Sequence, residues 1–440
     1  MAQEKAISGF SKLDAAGKLK WLQSAYNLPD SAIQILNSHL HADQDIQAIY
    51  NEFSENTVSN FYVPYGLAPN FLINNKWYVL PMAIEESSVV AAASHAAKFW
   101  SKFGGFQAEV IGQVKIGQVH FFWSGEHSKL MSVFENKKEM LIQSLDPITE
   151  SMRKRGGGIK DITIRKPSET LEHYYQLYVE FLTGDAMGAN FINTVLEKLA
   201  KDWEALVHRE AEEGKLRGDL EITMSILSNY TPECLVKIYC ETHVSELGIF
   251  DQRLSGAGFG EKFVRACKIA NEDSYRAVTH NKGIFNGVDA LVIASGNDFR
   301  AVEACGHAYA ARDGKYRSLS YAEIQNDIFR FTLEIPMAVG TVGGLTTGHP
   351  LAALSLKILG QPSAQELMMI IAAAGIANNF SAVRSLITKG IQEGHMKMHL
   401  SNILIQLGVS EQLKKEAIAY FKDKTVSYSE VKRFVDAQTP

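Results

Sequence analysis

The chain has 440 residues, of which 46% are hydrophobic, and it carries a formal net charge of -5 at pH 7. This length allows roughly two or three domains around a large core, and the dispersed Lys and Arg residues exclude the basic surface typical of nucleic-acid binding. The cysteines show neither CxxC spacing nor a partnership with nearby histidines that would suggest zinc, so we expect buried, reduced thiols; they are Cys234, Cys240, Cys267 and Cys305.

The amino-terminal region is predicted to be structural and to contain no site residues. Its first residues do not form the apolar core of a signal peptide, and we expect no later apolar run long enough to cross a bilayer, which indicates a cytoplasmic protein. Residues 5–40 show helical periodicity, and Asn27–Asp30 ends one helix and starts another. Between Val58 and Pro81, prolines, glycines and the Asn74–Asn75 pair predict a loop and a hairpin.

Two adjacent glutamates, Glu85 and Glu86, precede an alanine-rich segment. We predict that this segment, Val89–Trp100, is a central, buried helix, because its small side chains let neighbouring elements approach closely. The glutamates have two interpretations. They favour the positive N-terminal end of the helix dipole, or Glu86 is buried, has a raised pKa and acts as a general acid.

A subdomain is predicted to start at Gln107, where alternating residues up to Trp123 indicate two strands. A later strand, Tyr175–Phe181, leads into a glycine turn and then into helical spacing, and a strand around 222–227 is expected to leave the subdomain. A strand, glycine turn and helix in this order offer N–H groups to a pyrophosphate. The turn does not have the GxGxxG pattern, so a plain tight turn is the alternative; its residues are Asp185, Ala186, Met187, Gly188, Ala189 and Asn190.

The stretch Arg276–Asp298 has the composition of a site, with cations, a histidine, carboxamides and a carboxylate around glycines that we expect to break the helical period. The apolar run 290–294 is expected to be buried while Lys282 and Asp298, at its two ends, are brought together. A lysine beside a carboxylate stays charged and can polarise a carbonyl oxygen. The alternative is a surface lysine and a helix-capping aspartate.

Further on, glycines 340–344 indicate a turn that lines a ligand or packs backbone tightly, and 364–377 indicates a small, apolar helix. His395 follows Gly394 at a predicted hinge. Lysine-rich amphipathic helices over 411–421 and 429–434 are expected to be mobile. A lone histidine is usually structural or solvated, and a catalytic role for His395 requires a lid that carries it to the site.

Five of these segments, taken in order, resemble the motifs of one family: Pro81–Ser94, 185–190, Arg276–Asp298, 340–344 and Gly394–Met396. The family is 3-hydroxy-3-methylglutaryl-coenzyme A (HMG-CoA) reductase, in its soluble bacterial class (class II). The resemblance runs over nearly the whole chain. It implies an α+β fold with a large helical domain around a central buried helix (1–106 and 218–377), an inserted small α/β dinucleotide-binding domain (107–217) and a C-terminal helical flap (378–440).

The resemblance also implies roles for individual residues. Glu86 matches the catalytic acid and Lys282 matches the lysine that polarises the thioester and aldehyde oxygen. Asp298 matches the aspartate bonded to both, and His395 matches the histidine that protonates the departing thiolate. Residues 185–190 match the cofactor-binding segment. The positions that match contacts to the hydroxymethylglutaryl group are Arg276, Ser88 and Asn286.

The implied reaction is the two-step, four-electron reduction of HMG-CoA to mevalonate and coenzyme A with two NAD(P)H, or the reverse oxidation. This reaction belongs to the mevalonate route to isoprenoids. The resemblance implies a homodimer with the active site at its interface, and it allows a trimer of dimers. Cations at 153–155 favour NADPH, although Asp146 is available for the 2′-hydroxyl of NADH.

Two other functions would require different residues. A non-catalytic protein that binds coenzyme A or a nucleotide on the same fold would lack at least one of the four catalytic residues, and this chain has all four. A dehydrogenase acting on a small hydroxy acid would have a GxGxxG turn, which is absent here. A departure from the family pattern, Ser87 in place of a common proline, is not expected to alter the chemistry.

Overall fold

The computed structural model describes residues 7–251, 253–388, 400, 403–421, 424 and 426–438. Short 3₁₀ helices span Phe10–Lys12, Ser101–Phe103 and Val244–Phe250. The α-helices are α1 (Ala15–Tyr26), α2 (Asp30–Ser38), α3 (Gln44–Asn51), α4 (Val89–Trp100), α5 (His127–Ser144), α6 (Asp146–Arg153), α7 (Ala189–Glu212), α8 (Gly256–Glu272), α9 (Ser274–Ala294), α10 (Phe299–Ala310), α11 (Leu345–Gly348), α12 (Pro350–Ile358), α13 (Ala364–Ile387), α14 (Glu411–Tyr420) and α15 (Tyr428–Gln438).

The strands form three antiparallel sheets, in the orders β1-β2, β3-β8-β10-β9 and β5-β6-β4-β7. The expected mixture of helix and sheet is confirmed. The strands are β1 (Tyr65–Ile73), β2 (Lys76–Ala83), β3 (Gln107–Val110), β4 (Lys115–Trp123), β5 (Gly158–Arg165), β6 (Tyr174–Leu182), β7 (Leu220–Ser228), β8 (Leu235–His243), β9 (Ser320–Gln325) and β10 (Ile328–Pro336).

Local signals predicted several of these elements correctly. Asn27 has a φ of 50° at the end of α1, and Pro29 directly precedes α2, so the helix stops and restarts where the sequence indicated. Asn74 and Asn75, with φ values of 47° and 64°, form the turn between β1 and β2. Asparagine tolerates this left-handed conformation better than most residues, which is why it marks such turns.

The helix at the centre of the largest core is α13 rather than α4. It packs against α4, α8 and α9 and against the sheet that contains β10. Its side chains are apolar and buried on every face, the pattern of a helix surrounded by protein. The α4 helix buries one face only, with Ala91, His95 and Lys98 exposed. All four cysteines are free and buried, as expected.

Two expectations about α13 are wrong. The helix is long and apolar enough to cross a membrane by composition, although we expected no such run; 83% of its most apolar window is buried inside the protein, which identifies it as a core helix. The helix also continues to Ile387, so the boundary expected after residue 377 falls in its middle, where Asn378, Asn379 and Phe380 are buried. A uniformly apolar pattern does not show where a helix leaves the core.

The sheet β5-β6-β4-β7 has its own hydrophobic core, which α5 and α7 complete. Its limits differ from the predicted subdomain. The strand β3, expected to belong to it, pairs with β8 in the other four-stranded sheet. The strand β7, expected to leave, pairs with β4. Alternation identifies a strand but not its partner, because the partner is set by packing across the whole chain.

The carboxyl-terminal helices α14 and α15 occur where the sequence predicted them. They form a small separate core in which Leu404, Ala417, Phe421 and Val431 are buried. The described part of the chain therefore has three hydrophobic clusters of different size.

Candidate active site

Most of the stretch Arg276–Asp298 lies in the continuous helix α9, and its glycines do not break the helical period. Gly283 and Gly287 both lie inside α9. A Cβ built on Gly287 would lie 2.2 Å from the carbonyl oxygen of Ala374 in α13, so the missing side chain lets the two backbones touch. Glycine is used here for close helix packing, and it holds α9 at a defined distance from the central helix.

Glu86 and Lys282 form the closest pair of predicted catalytic residues. Glu86 lies in the turn before α4, and Lys282 projects from α9 so that its Nζ is 2.5 Å from the Glu86 Oε2. Their side chains are 39% and 59% exposed, respectively. The interpretation in which Glu86 is buried therefore does not hold within the described part of one chain, where its side chain stays 39% exposed.

Ser88 and Asn286 lie beside this pair. Ser88 directly precedes α4 with a φ of 75°, and its hydroxyl does not cap the helix. A left-handed serine costs about 1 kcal/mol or more, and such strain is typical of functional sites. Asn286 lies one turn after Lys282, so the two side chains share a face of α9. Both residues could contact a substrate held by Lys282.

Arg276 lies on a different face of α9. It precedes Lys282 by six positions, which places the two side chains about 120° apart around the helix axis. The Arg276 side chain is half-buried. Burial lowers its pKa, and the neighbouring Cys267 thiol of α8 partly opposes this. The structure therefore does not bring Arg276 to the Glu86–Lys282 pair within one chain.

Asp298 caps α10. Its Oδ1 accepts hydrogen bonds from the backbone N–H groups of Arg300 at 3.0 Å and Ala301 at 3.2 Å, and the Arg300 Nε lies 3.2 Å away. Burial raises the pKa of Asp298, but these hydrogen bonds and the guanidinium charge outweigh burial and hold the pKa below its usual value. The carboxylate is ionised at neutral pH, and the alternative interpretation of a capping aspartate is confirmed.

Lys282 and Asp298 do not meet in one chain, which contradicts the expectation from the sequence. The backbone N–H of Asn297 donates to the carbonyl of Val292, so Asp298 lies beside the end of α9. The axial rise from Lys282 to Val292 is about 15 Å at about 1.5 Å per residue. Within the described residues, no hydrogen bond or ion pair joins Lys282 to Asp298.

The glycine turn between β6 and α7 has the geometry of an anion-binding turn. Gly188 directly precedes α7 with a φ of 89°, and a Cβ there would lie 2.5 Å from the Thr183 Cγ2, so only glycine fits. No side chain caps the first turn of α7, which begins with Ala189 and Asn190. An uncapped helix start with close backbone approach suits a dinucleotide pyrophosphate.

Asp298 and this turn are neighbours in the same chain. The amide of Asn297 exchanges two hydrogen bonds with the backbone of Gly340, at 2.8 and 3.0 Å. The N–H of Thr341 donates to the Asp185 carbonyl at 2.8 Å, and a Cβ on Gly340 would lie 2.4 Å from the Met187 nitrogen. Gly340 therefore packs directly on the turn and connects it to the Asp298 side.

Comparisons with known proteins point to one family. Residues 16–400 match the family model of hydroxymethylglutaryl-coenzyme A reductase. The chain is 38% identical over 418 residues to the 3-hydroxy-3-methylglutaryl-coenzyme A reductase of Archaeoglobus fulgidus, covering 93% of this chain and 89% of that protein. It is 33% identical over 352 residues to a probable reductase of Borreliella burgdorferi, covering 80% and 77%.

The chain belongs to the hydroxymethylglutaryl-coenzyme A reductase family. A solved structure of the Streptococcus pneumoniae class II reductase, bound to NADPH in open conformations, superposes with a TM-score of 0.72 at 36% identity, covering 87% of this chain and all of that one. A second structure of the reductase from that organism covers 99% of this chain with a TM-score of 0.73. The resemblance inferred from the motifs is confirmed, and the chain is an oxidoreductase of this family.

In this reductase chain, the cations near the turn between β6 and α7 are partly neutralised. The Arg153 guanidinium lies 2.8 Å from the Asp146 carboxylate, and Lys154 pairs with Glu150 at 2.7 Å. Arg155 bonds to the Ser151 carbonyl at 3.2 Å. A Cβ on Gly184 would lie 3.3 Å from the Arg155 carbonyl oxygen, so this segment adjoins the turn.

His395 lies outside the described residues, so the structure does not place it. The Asp185 carboxylate accepts a hydrogen bond at 2.7 Å from the backbone N–H of Ala364, the first residue of α13. Asp185 therefore connects the turn between β6 and α7 to the start of the central helix α13.

Sequence reasoning missed two residues that organise the turn, Asn297 and Lys115. Asn297 adjoins Asp298 in the sequence, but nothing local shows that it bonds to Gly340. The sequence pattern around Lys115 could have indicated its importance. It alternates with Gly117, Val119 and other apolar residues on the inward face of β4, and a charged residue in such a position is rarely present without a role.

Proposed function

We propose that the chain reduces the thioester of HMG-CoA to the primary alcohol of mevalonate, consumes two NADPH and releases coenzyme A. The ion pair between Glu86 and Lys282 is the observation that supports this most directly. A lysine held charged beside a carboxylate stabilises negative charge that develops on a carbonyl oxygen, and the adjacent carboxyl group can supply a proton.

The residues have successive tasks in this reaction. NADPH, when bound, supplies one hydride to the carbonyl carbon at each of the two stages. Lys282 neutralises the oxyanion formed from the thioester and later the one formed from the aldehyde. His395, in the role that the family implies, donates a proton to the coenzyme A thiolate when the hemithioacetal collapses. Glu86 supplies the proton that completes the alcohol.

A homodimer with a shared active site explains the separation of Asp298 from Lys282. Each chain carries Glu86, Lys282 and Asn286 at one place, and carries Asp298 beside its dinucleotide turn at another. A second copy that brings its Asp298 to this Lys282 would complete the site and cover the exposed Glu86. Exposed apolar side chains near these elements suit such an interface; they include Leu67, Trp77, Val79, Tyr275 and Val278.

The shared site can be tested by mixing two inactive variants, Lys282→Ala and Asp298→Ala. A mixed dimer of these variants contains one intact Lys282–Asp298 combination if the site is shared, and contains none if each chain supplies both residues. Equal mixing should then recover about a quarter of wild-type activity, since half of the dimers are mixed and each has one intact site. No recovery in a mixture shown to exchange subunits would refute the shared site.

NADPH is the proposed cofactor, as in the Streptococcus pneumoniae relative. The carboxylate that would select a 2′-hydroxyl, Asp146, is engaged by Arg153, while Arg155 has no acidic partner among the described residues and can receive a 2′-phosphate. We assign the dinucleotide to the segment 107–217 together with β7, and the flap to the residues after α13. A cytoplasmic location and a place in the mevalonate route to isoprenoids complete the proposal.

The competing functions receive less support. A non-catalytic coenzyme A or nucleotide-binding protein would have no reason to keep the Glu86–Lys282 pair exposed and together. A dehydrogenase for a small hydroxy acid would use a GxGxxG turn, and residues 183–188 have a different glycine spacing.

The direct test is stoichiometric. Purified chain, HMG-CoA and NADPH are incubated together, and NADPH oxidation, free thiol and mevalonate are measured. We expect two NADPH oxidised and one thiol released for each mevalonate formed. If NADPH binds but HMG-CoA stays intact, the chain is a non-catalytic binding protein and the reductase function is refuted. Parallel assays with NADH, and with mevalonate, coenzyme A and NADP⁺, decide cofactor preference and direction.

A further inference from the structure

Lys115 is a buried lysine beneath the dinucleotide turn. It is the first residue of β4 and pairs with Phe181 of β6, two positions before Thr183. Gly117, the next residue on the same face of β4, would place a Cβ 2.6 Å from the Leu196 Cδ1 of α7. Because alternate residues of a strand share a face, Lys115 also points towards α7, and only 5% of it is exposed.

All three N–H groups of the Lys115 ammonium are used by the turn. Its Nζ donates to the Thr183 hydroxyl at 2.5 Å and to the carbonyls of Ala186 at 2.8 Å and Met187 at 3.0 Å. The Thr183 hydroxyl in turn donates to the Ala186 carbonyl at 2.6 Å. Among the described residues, no carboxylate pairs with this lysine. Burial lowers its pKa, and the nearby Cys234 thiol acts in the opposite direction.

This position is electrostatically unfavourable in the free protein. A cation near the N-terminal end of a helix opposes the helix dipole, and α7 has no side-chain cap that would add a compensating negative charge. The same cation becomes favourable once an anion binds at that helix end. Lys115 therefore adds its charge where a pyrophosphate would lie, without offering it a direct contact from the surface.

The hydrogen bonds of Lys115 also orient the turn. In a planar trans peptide, a carbonyl and the following N–H point in opposite directions. Lys115 draws the carbonyls of Ala186 and Met187 inward, so the N–H groups of Met187 and Gly188 face outward. The Met187 nitrogen lies against Gly340, where an added Cβ would come within 2.4 Å, so the loop that starts at Gly340 packs on that N–H and the Gly188 N–H is the one left to a ligand.

We propose that Lys115 is a positioning residue for the NADPH pyrophosphate: it supplies a buried positive charge and, by holding the Met187 carbonyl, turns the N–H of Gly188 towards the ligand. This inference rests on the proposed NADPH site. It assigns to a side chain within the sheet a task that the turn residues cannot perform alone, because their own carbonyl groups would otherwise be free to face the phosphates.

The test compares Lys115→Met, which keeps the length of the side chain but not its charge, with Lys160→Met. Lys160 is on β5 of the same sheet and pairs with Glu180. Glu180 adjoins Phe181 in β6, so this pair lies on the opposite face of the sheet from Lys115 and Lys160→Met is a matched loss of charge. Affinity for NADPH is measured by ligand fluorescence, without HMG-CoA. We expect Lys115→Met to weaken NADPH binding by about ten- to a hundredfold, the range of a charge-assisted hydrogen bond, and Lys160→Met to change it less than about twofold.

A second ligand separates positioning from general damage to the fold. Adenosine 2′-monophosphate carries the adenine and 2′-phosphate of NADPH but no pyrophosphate. Its affinity should be equal in wild type and Lys115→Met. In turnover assays the variant should raise the KM for NADPH and leave the KM for HMG-CoA unchanged. Equal losses for both ligands would identify Lys115 as structural and overturn the inference.

Thr183→Val keeps the inference testable if Lys115→Met does not fold. This variant retains the charge and removes only the hydroxyl that Lys115 contacts, so it should weaken NADPH binding several-fold while sparing adenosine 2′-monophosphate. If both variants bind NADPH with wild-type affinity, the positioning role of Lys115 is overturned, while the proposed cofactor site and reaction stand. Failure of the wild-type chain to bind NADPH would instead overturn the proposed cofactor site, and binding without reduction of HMG-CoA would overturn only the proposed reaction.

Discussion

The two glycines inside α9 provide a matched test of how this helix is seated. Alanine at Gly283 would place its Cβ 3.7 Å from the Ala382 Cβ, an ordinary contact. Alanine at Gly287 would place its Cβ 2.2 Å from the oxygen and 2.6 Å from the carbon of the Ala374 carbonyl. These are backbone atoms of the central helix, so no side-chain rotation can relieve the clash.

The expected stabilities have opposite signs. Replacing glycine by alanine in a helix interior stabilises by about 1 kcal/mol, and Gly283→Ala should gain about that amount. Gly287→Ala gains the same propensity, but the two helices must separate by about 1 Å, and such overpacking costs about 3 kcal/mol at the upper end of its usual range. The net loss is about 2 kcal/mol, so the two variants should differ by about 3 kcal/mol.

Urea unfolding followed by circular dichroism measures this difference from the two transition midpoints and their slopes. Gly283→Ala should unfold at higher urea than wild type and Gly287→Ala at lower urea. Shifts of the same sign and size would show that α9 and α13 do not touch at Gly287, and the argument for close backbone packing would be refuted. A gain in both variants would show that helix propensity alone governs α9.

Three further predictions concern the site and its surroundings. Lys282→Ala should lower turnover by orders of magnitude with thermal stability and NADPH affinity near wild type; turnover within a few-fold of wild type would remove its role. His395→Gln should nearly abolish thioester reduction yet keep much activity on free mevaldehyde, whereas Glu86→Gln should lose both, and equal losses in the histidine variant would refute the thiolate assignment. Burial, with repulsion from and a hydrogen bond to Glu303, raises the pKa of Asp289 to about 8, well above its unfolded value of about 3.9. The native state therefore holds a proton that the unfolded chain releases, so stability should fall as the pH rises from about 4 to about 8, and the urea midpoint of Asp289→Asn should lack this decline; an identical decline in the variant would assign it to other groups.

The sequence by itself determined the features that depend on residues close together in the chain. Asparagines at 27 and 74–75 marked a helix end and a hairpin turn because they tolerate left-handed backbone. Gly188, between a strand and a helix, marked the tight turn before α7 for the same kind of local reason. The order of the motifs was enough to identify the family, since a family pattern is itself a property of the linear chain.

The tertiary structure decided which distant residues meet. The spacing suggested that Lys282 and Asp298 would come together. Instead, α9 is continuous and packs against α13, and Lys282 forms its ion pair with Glu86. Alternation found β3 and β7 without their partners. Lys115 acquires its role only because β4 runs beneath the turn after β6. These pairings depend on the shape of surfaces assembled from the whole chain, and no local window of sequence contains that information.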